Sequence, residues 1–360
     1  MQKRLQDISW NDFAALGVEA KTPYLAQPDG QPFHTLFAQQ FDRDLLDRMC
    51  LLATAVRTIA KSRCGMGFLM GLLCHRRAML YFTQPSSRTF LSFNSACQIL
   101  GMQIGEVRDT STSSEYKGET QEDSVRTFSS YFDLIVMRTP EQGLAERMAW
   151  MLSNVGRPVP IINAGSGQDQ HPTQALLDIY TLQRSFENQG GLRNRRIVFV
   201  GDLARGRTVR SLSCLLTQYE DIEQVFVAPE SLQIDSQTQA ALKAKGARFS
   251  LSDDLRGVLP GADAVYMTRI QDEWDTTSGQ SAQIDTSRFK IDETHMALLK
   301  PQSILMHPLP RRDEITTTVD NDPRAMYWRQ MRNGMWIRVA LIAMTFGYEQ
   351  RIHAYFRENL

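Results

Sequence analysis

Apolar residues recur at helical spacing over residues 42–60, where Leu45, Leu46, Met49 and Leu52 fall on one face. The run Ala78-Met79-Leu80-Tyr81-Phe82 then reads as a short buried strand, stopped by Gln84-Pro85, and a helical run follows over about 89–101. Residues 131–137 and 159–162 are further strand candidates, the second closed by the loop Asn163-Ala164-Gly165-Ser166-Gly167. A long helix is expected over 171–186, with Pro172 suited to its first turn. After the break Glu187-Asn188-Gln189-Gly190-Gly191, short apolar runs at 197–200, 225–228, 264–267 and 304–306 alternate with helical or loop-like stretches. Such alternation predicts mostly parallel sheets with helices on both faces, an α/β fold. Residues 334–346 are strongly apolar and read as a helix, whereas the first thirty or so, with Pro23, Pro28 and Pro32, have no clean period and read as an irregular extension. No internal repeat or low-complexity tract appears.

A chain of 360 residues is long enough for two compact domains, each with its own core. Forty basic residues balance forty acidic ones, so no global field favours nucleic acid or a membrane surface, and neither is expected as a partner. Any anion must be held by a local cluster of positive charge, which makes individual arginines informative. The five cysteines (Cys50, Cys64, Cys74, Cys97 and Cys214) are scattered, with no Cys-x-x-Cys pair, and read as buried small apolar residues in a reduced compartment. The start, Met1-Gln2-Lys3-Arg4-Leu5-Gln6-Asp7, lacks the apolar core of a signal peptide. The longest apolar stretch, 64–74, falls short of the ~20 residues of a membrane helix. A cytoplasmic location is expected.

Several polar clusters close the expected strands. Gln84-Pro85-Ser86-Ser87-Arg88-Thr89 brings hydroxyls, a guanidinium and the N–H groups of a helix start into one turn, either a phosphate cradle or a serine-rich cap. The polar loop 109–120 contains Ser113, Tyr116 and Lys117. Arg138 ends a strand, where catalytic groups of open α/β sheets gather. His171-Pro172-Thr173-Gln174 opens a helix, whose dipole disfavours an imidazolium, and a neutral ring can still donate to a carbonyl oxygen. Gly201-Asp202-Leu203-Ala204-Arg205-Gly206-Arg207-Thr208 mimics a P-loop with Arg207 in the lysine position, and also a dinucleotide turn with Glu230 ending the next strand. The missing lysine and the unmet Gly-x-Gly-x-x-Gly pattern count against both. Arg269 and Gln271 follow the strand 264–267, Arg269 with a planar fork suited to a carboxylate, and His307-Pro308-Leu309-Pro310 follows the last strand as a rigid turn.

Together and in this order, these clusters resemble the carbamoyltransferase family, specifically its aspartate branch, from about His34 to Phe346. The family's Ser-Thr-Arg-Thr phosphate loop is Ser86-Ser87-Arg88-Thr89 here, its preceding glutamate is Gln84, and a lysine of some relatives is Tyr116. The His-Pro-Leu-Pro turn and the absence of a Ser-Met-Gly motif point away from the ornithine branch. The resemblance implies two doubly wound α/β domains with the active site between them and at a subunit interface: residues 1–171 with 333–360 for carbamoyl phosphate, a linking helix over 172–186, and 187–326 for aspartate.

It also implies the site residues. Ser86, Ser87, Arg88 and Thr89 would bind the phosphate, and Arg138 both phosphate and carbamoyl oxygen. His171 would donate to the carbamoyl carbonyl, and Gln174 would orient its nitrogen. Arg207 would hold the α-carboxylate of L-aspartate, Arg269 and Gln271 the β-carboxylate. The carbonyls of Pro308 and Leu309 would accept from the attacking amine. Ser113 and Lys117 would reach into a neighbouring subunit's site in a homotrimer, with or without regulatory chains. The implied reaction, a step of pyrimidine synthesis, needs no cofactor and no metal.

Overall fold

The computed structural model describes residues 3–109, 118–167, 170–272, 284 and 287–359, and the chain folds as two compact units. Unit 1 comprises Met1–Leu176 with Gly334–Leu360, and unit 2 comprises Leu177–Asn333. The first division lies inside the helix Pro172–Phe186, within the segment expected to link the two domains. The second lies inside the helix Tyr327–Thr345. No helix among the described residues is long and apolar enough to cross a membrane.

Unit 1 is built on β1 (Arg77–Phe82), β2 (Gln103–Val107), β3 (Leu134–Arg138) and β4 (Ile161–Asn163). All pairs are parallel and the spatial order is β2-β1-β3-β4. The inner strands are apolar almost throughout because helices cover both faces, and β3 is buried along its whole length. The helix Arg43–Ile59 buries Leu45, Leu46, Met49 and Leu52 on the expected face, and Asp42 caps it by accepting the Leu45 N–H at 2.9 Å.

Three expectations for this unit are corrected. Residues 3–33 are not an irregular appendage, since Leu5, Phe13 and Leu25 are buried in the same core cluster as Met79, Tyr81 and Ile135. Short helices at Trp10–Ala15 and Val18–Lys21 carry them, too brief to show a period in the sequence. Residues 131–133 are not strand: Tyr131 is exposed and ends the helix Gln121–Tyr131, whose buried face holds Ser124, Val125 and Ser129 in place of an apolar stripe. The cysteines divide, with Cys50 and Cys97 buried and Cys64 and Cys74 exposed.

Unit 2 contains β5 (Arg196–Val200), β6 (Glu223–Val227), β7 (Arg248–Ser252), β8 (Ala264–Met267) and β9 (Ile304–Met306). They form a parallel sheet in the order β7-β6-β5-β8-β9. Val198, Val200, Val225, Val227, Val265, Met267 and Leu305 supply its core from the strands. In each sheet, chain order reverses once, between β1 and β3 and between β5 and β8. At such a switch point the loops leaving neighbouring strands run to opposite sides and open a crevice at the strands' C-terminal ends.

Candidate active site

Both switch points are lined by the residues singled out in the sequence. In unit 1 the loop after β1 leads into the helix Ser87–Ile99, with Ser86 at its N-cap position. The Ser86 hydroxyl makes no capping bond to the first turn, whose N–H donors and positive dipole end favour an anion. Ser87 and Arg88 are exposed, and Thr89 is buried. The Gln84 N–H donates to the carbonyl of Arg138 at 3.1 Å, which ties this loop to the end of β3.

Arg138 is buried, and its Nη1 donates to the Ala164 carbonyl at 3.1 Å. His171, also buried, immediately precedes the helix Pro172–Phe186, and its carbonyl accepts the Gln174 N–H at 3.0 Å. Gly165 joins these two side chains. Its φ is +93°, and a Cβ there would lie 2.6 Å from His171 Cδ2 and 2.9 Å from Arg138 Nη1. Asn163 shapes that turn by accepting the N–H groups of Gly165 at 2.8 Å and Ser166 at 3.0 Å. The structure therefore brings Arg138 and His171 together over one face of this glycine, with Gln174 a turn beyond. Ser113, Tyr116 and Lys117 lie outside the described residues.

In unit 2, Arg207 opens the helix Arg207–Leu216 beyond β5, and Arg269 and Gln271 follow β8. Fully buried Asp202 holds the two loops together. It accepts the Arg205 N–H at 3.2 Å and the Gln271 N–H at 3.0 Å, while Arg205 Nη1 donates to the Gln271 carbonyl at 3.0 Å. Gly201, at φ +111°, permits this closeness, because a Cβ would lie 2.2 Å from the Thr268 carbonyl oxygen. Arg269 is mostly enclosed and donates from Nη1 to the Ile270 carbonyl at 2.7 Å.

Pro308 and Leu309 follow β9, the strand next to β8. Leu309 has φ +56°, costly for a side-chain-bearing residue, and the Leu309–Pro310 peptide is cis. Buried His307 fixes the turn: its Nδ1 accepts the Leu309 N–H at 2.8 Å, so the proton sits on Nε2 and is donated to Glu314 at 2.7 Å. Burial pushes the pKa of His307 down, which keeps Nδ1 available as an acceptor. The His307 N–H in turn donates to Gln330, whose amide donates to buried Asp178 at 2.7 Å.

Sequence reasoning named the candidate side chains and missed the residues that shape the turns around them: Asn163, Gly165, Asp202, Glu314 and Gln330. Signals existed for two. An asparagine at a strand end before Ala-Gly suggests a side-chain-capped turn, and an acid directly after Val200-Gly201 is unusual unless it has backbone partners.

Residues 34–184 match the aspartate/ornithine carbamoyltransferase carbamoyl-P binding domain, and residues 193–345 match the Asp/Orn binding domain. The chain belongs to the aspartate/ornithine carbamoyltransferase family. Within it, the chain is 41% identical over 323 residues to the chloroplastic aspartate carbamoyltransferase 3 of Pisum sativum, covering 88% of this chain and 79% of the pea protein. It is 43% identical over 275 residues to the aspartate carbamoyltransferase catalytic subunit of Vibrio cholerae, covering 76% and 86%. A solved aspartate transcarbamoylase from Trypanosoma cruzi, in complex with carbamoyl phosphate and aspartate, has a TM-score of 0.77 at 37% identity, covering 88% of this chain and 98% of that one.

Proposed function

We propose that this carbamoyltransferase moves the carbamoyl group of carbamoyl phosphate onto the amino group of L-aspartate, giving N-carbamoyl-L-aspartate and phosphate. One observation carries the choice of acceptor: unit 2 presents two arginines beside its switch point, Arg207 at the helix start beyond β5 and Arg269 on the loop after β8. An acceptor with two carboxylates needs two cationic anchors, and a guanidinium meets each carboxylate through two parallel donors. Ornithine, with one carboxylate and a cationic side chain, would leave one arginine facing a like charge. The aspartate enzymes among its relatives support the same reading.

In this reading the amine nitrogen attacks the carbamoyl carbon, the bond from that carbon to the phosphate oxygen breaks, and a proton passes from the amine to the departing phosphate. Ser86, Ser87, Arg88 and Thr89 hold the phosphate. Arg138 and His171 stabilise charge on the carbonyl oxygen, and Gln174 orients the carbamoyl nitrogen. Fixed donors aimed at developing charge are the largest contribution expected in acyl transfer. Arg207 takes the α-carboxylate, Arg269 and Gln271 the β-carboxylate, and the carbonyls of Pro308 and Leu309 accept from the amine. A homotrimer belongs to the proposal, with Ser113 and Lys117 completing a neighbour's site, as does a cytoplasmic location, which the free thiols of Cys50, Cys64, Cys74 and Cys97 support.

The test is to incubate purified protein with carbamoyl phosphate and a panel of amines that includes L-aspartate, L-ornithine and acylated ornithine, and to quantify carbamoylated product. Carbamoylation of aspartate above all others is expected. Preference for an ornithine derivative, or no transfer to any amine, would overturn the proposal.

A further inference from the structure

Arg205 belongs to the turn Gly201-Asp202-Leu203-Ala204-Arg205-Gly206-Arg207, whose sequence mimics a P-loop, and no step of the reaction above uses it. Its side chain is mostly enclosed, at 18% exposed, and its Nη1 lies 3.9 Å from Oδ2 of fully buried Asp202. The same Nη1 donates to the Gln271 carbonyl at 3.0 Å, and the Gln271 N–H donates to Asp202 Oδ2 at 3.0 Å. The peptide groups on either side of the Gln271 Cα are therefore both tied. Because φ and ψ are the only soft backbone torsions of a residue, tying both planes sets the direction of its Cα–Cβ bond. The Arg205 carbonyl meanwhile accepts the Arg207 N–H at 2.9 Å. One residue thus joins the start of the helix bearing Arg207 to the backbone of Gln271.

We propose that Arg205 is a positioning residue for the acceptor: by pinning Gln271 relative to Arg207 it fixes the span between the two carboxylate receptors. The inference rests on the reading of Arg207 and Gln271 as ligands of the α- and β-carboxylates of aspartate. A dicarboxylate must satisfy both receptors at once. A shift of one receptor therefore weakens the grip on the whole molecule and carries the amine away from its attacking position. Asp202 ties the N–H side of Gln271 and Arg205 ties the carbonyl side. The competing role for Arg205 is to balance the charge of the buried Asp202, which would brace the turn without bearing on the acceptor.

Variants of the full chain test this: Arg205→Met, Arg205→Gln, Gln271→Ala, and each Arg205 variant combined with Gln271→Ala. Methionine and glutamine are neutral side chains of different polarity, so if one folds poorly the other can still be read. Each Arg205 variant is expected to raise KM for aspartate roughly tenfold, as loss of one hydrogen bond from a charged donor does, with calorimetric binding of carbamoyl phosphate in the absence of aspartate unchanged. In the Gln271→Ala background the same substitutions are expected to raise KM for aspartate by less than about twofold, because the side chain they misplace is already gone. A parent KM in both Arg205 variants, or a full rise that persists in the Gln271→Ala background, would show that Arg205 only balances Asp202, and the proposal fails. Loss of the fold in both Arg205 variants would overturn it in the same way. An unchanged KM for aspartate in Gln271→Ala would instead remove the ligand reading on which the proposal stands.

Discussion

The backbone of Gly165 packs so closely against His171 that a methyl group at its Cα would lie 2.6 Å from the imidazole Cδ2. The same methyl would lie 2.9 Å from Arg138 Nη1, so one absent side chain sets the spacing of two groups assigned to the carbamoyl oxygen.

Gly165→Ala is accordingly a probe of geometry with all the chemistry left in place. The backbone at φ +93° adds strain of ~1–2 kcal/mol for a residue with a Cβ, which a denaturation curve will register as a modest loss. Turnover is expected to fall further than that strain implies, by roughly 10² or more, because a misplacement of about 1 Å in the reacting groups is that costly. Steady-state kinetics beside a melting curve check this. A variant that loses stability but keeps full turnover would show that the spacing of His171 and Arg138 is unimportant.

His34 gives unit 1 a pH dependence with a definite sign. Its Nδ1 accepts the Ile161 N–H at 3.0 Å and its Nε2 donates to Ser153 Oγ at 2.9 Å, so the neutral ring satisfies both neighbours. Burial pushes its pKa down to about 3 from 6.5. Below pH 6.5 the unfolded chain therefore takes up a proton that the folded chain refuses. The stabilising contribution is complete above that pH and is lost progressively down to about pH 3, by up to ~1.4 kcal/mol per pH unit. Denaturant unfolding of the parent and of His34→Gln, compared between pH 7 and 5, is expected to converge as the pH falls. Curves that stay parallel would contradict the assignment.

The shared site of the proposed trimer predicts complementation. Lys117→Ala and His171→Ala are each expected to be nearly inactive as pure trimers, the second by roughly 10²–10³ for one lost carbonyl-polarising donor. After reversible dissociation and random equal mixing, about a quarter of the sites would combine an intact Lys117 from one subunit with an intact His171 from its neighbour. Activity that stays at the background of the two parents, despite proven subunit exchange, would show that Lys117 serves its own chain.

What could be read in the sequence followed a physical divide. Buried strands announce themselves as apolar runs whether central or at an edge, and 264–267 and 304–306 coincide with β8 and β9 residue for residue. The edge strands β2 and β7 do not: Gln103–Val107 and Arg248–Ser252 are half covered, and their mixed composition carries neither an apolar run nor clean alternation. The helix Glu349–Asn359 escaped for the opposite reason, since its sparse apolar face follows a far stronger apolar helix after the turn at Gly347. In the candidate site, arginines and histidines at strand ends were legible because position and chemistry coincide. Asp202, Glu314 and Gln330 were not, since their roles depend on partners 69, 7 and 23 residues away in the chain: the Gln271 N–H, the His307 imidazole and the His307 N–H.

The central claim is a division of labour, with carbamoyl phosphate held by unit 1 and aspartate by unit 2. The most direct measurement compares Arg138→Ala and Arg269→Ala, using calorimetric titration of carbamoyl phosphate without aspartate together with steady-state KM for aspartate. Arg269→Ala is expected to bind carbamoyl phosphate like the parent while losing about 2–5 kcal/mol in its use of aspartate, the range for a truncated charge pair in an enclosed site. Arg138→Ala is expected to lose carbamoyl phosphate binding itself. Equal weakening of carbamoyl phosphate binding in both variants would contradict the claim.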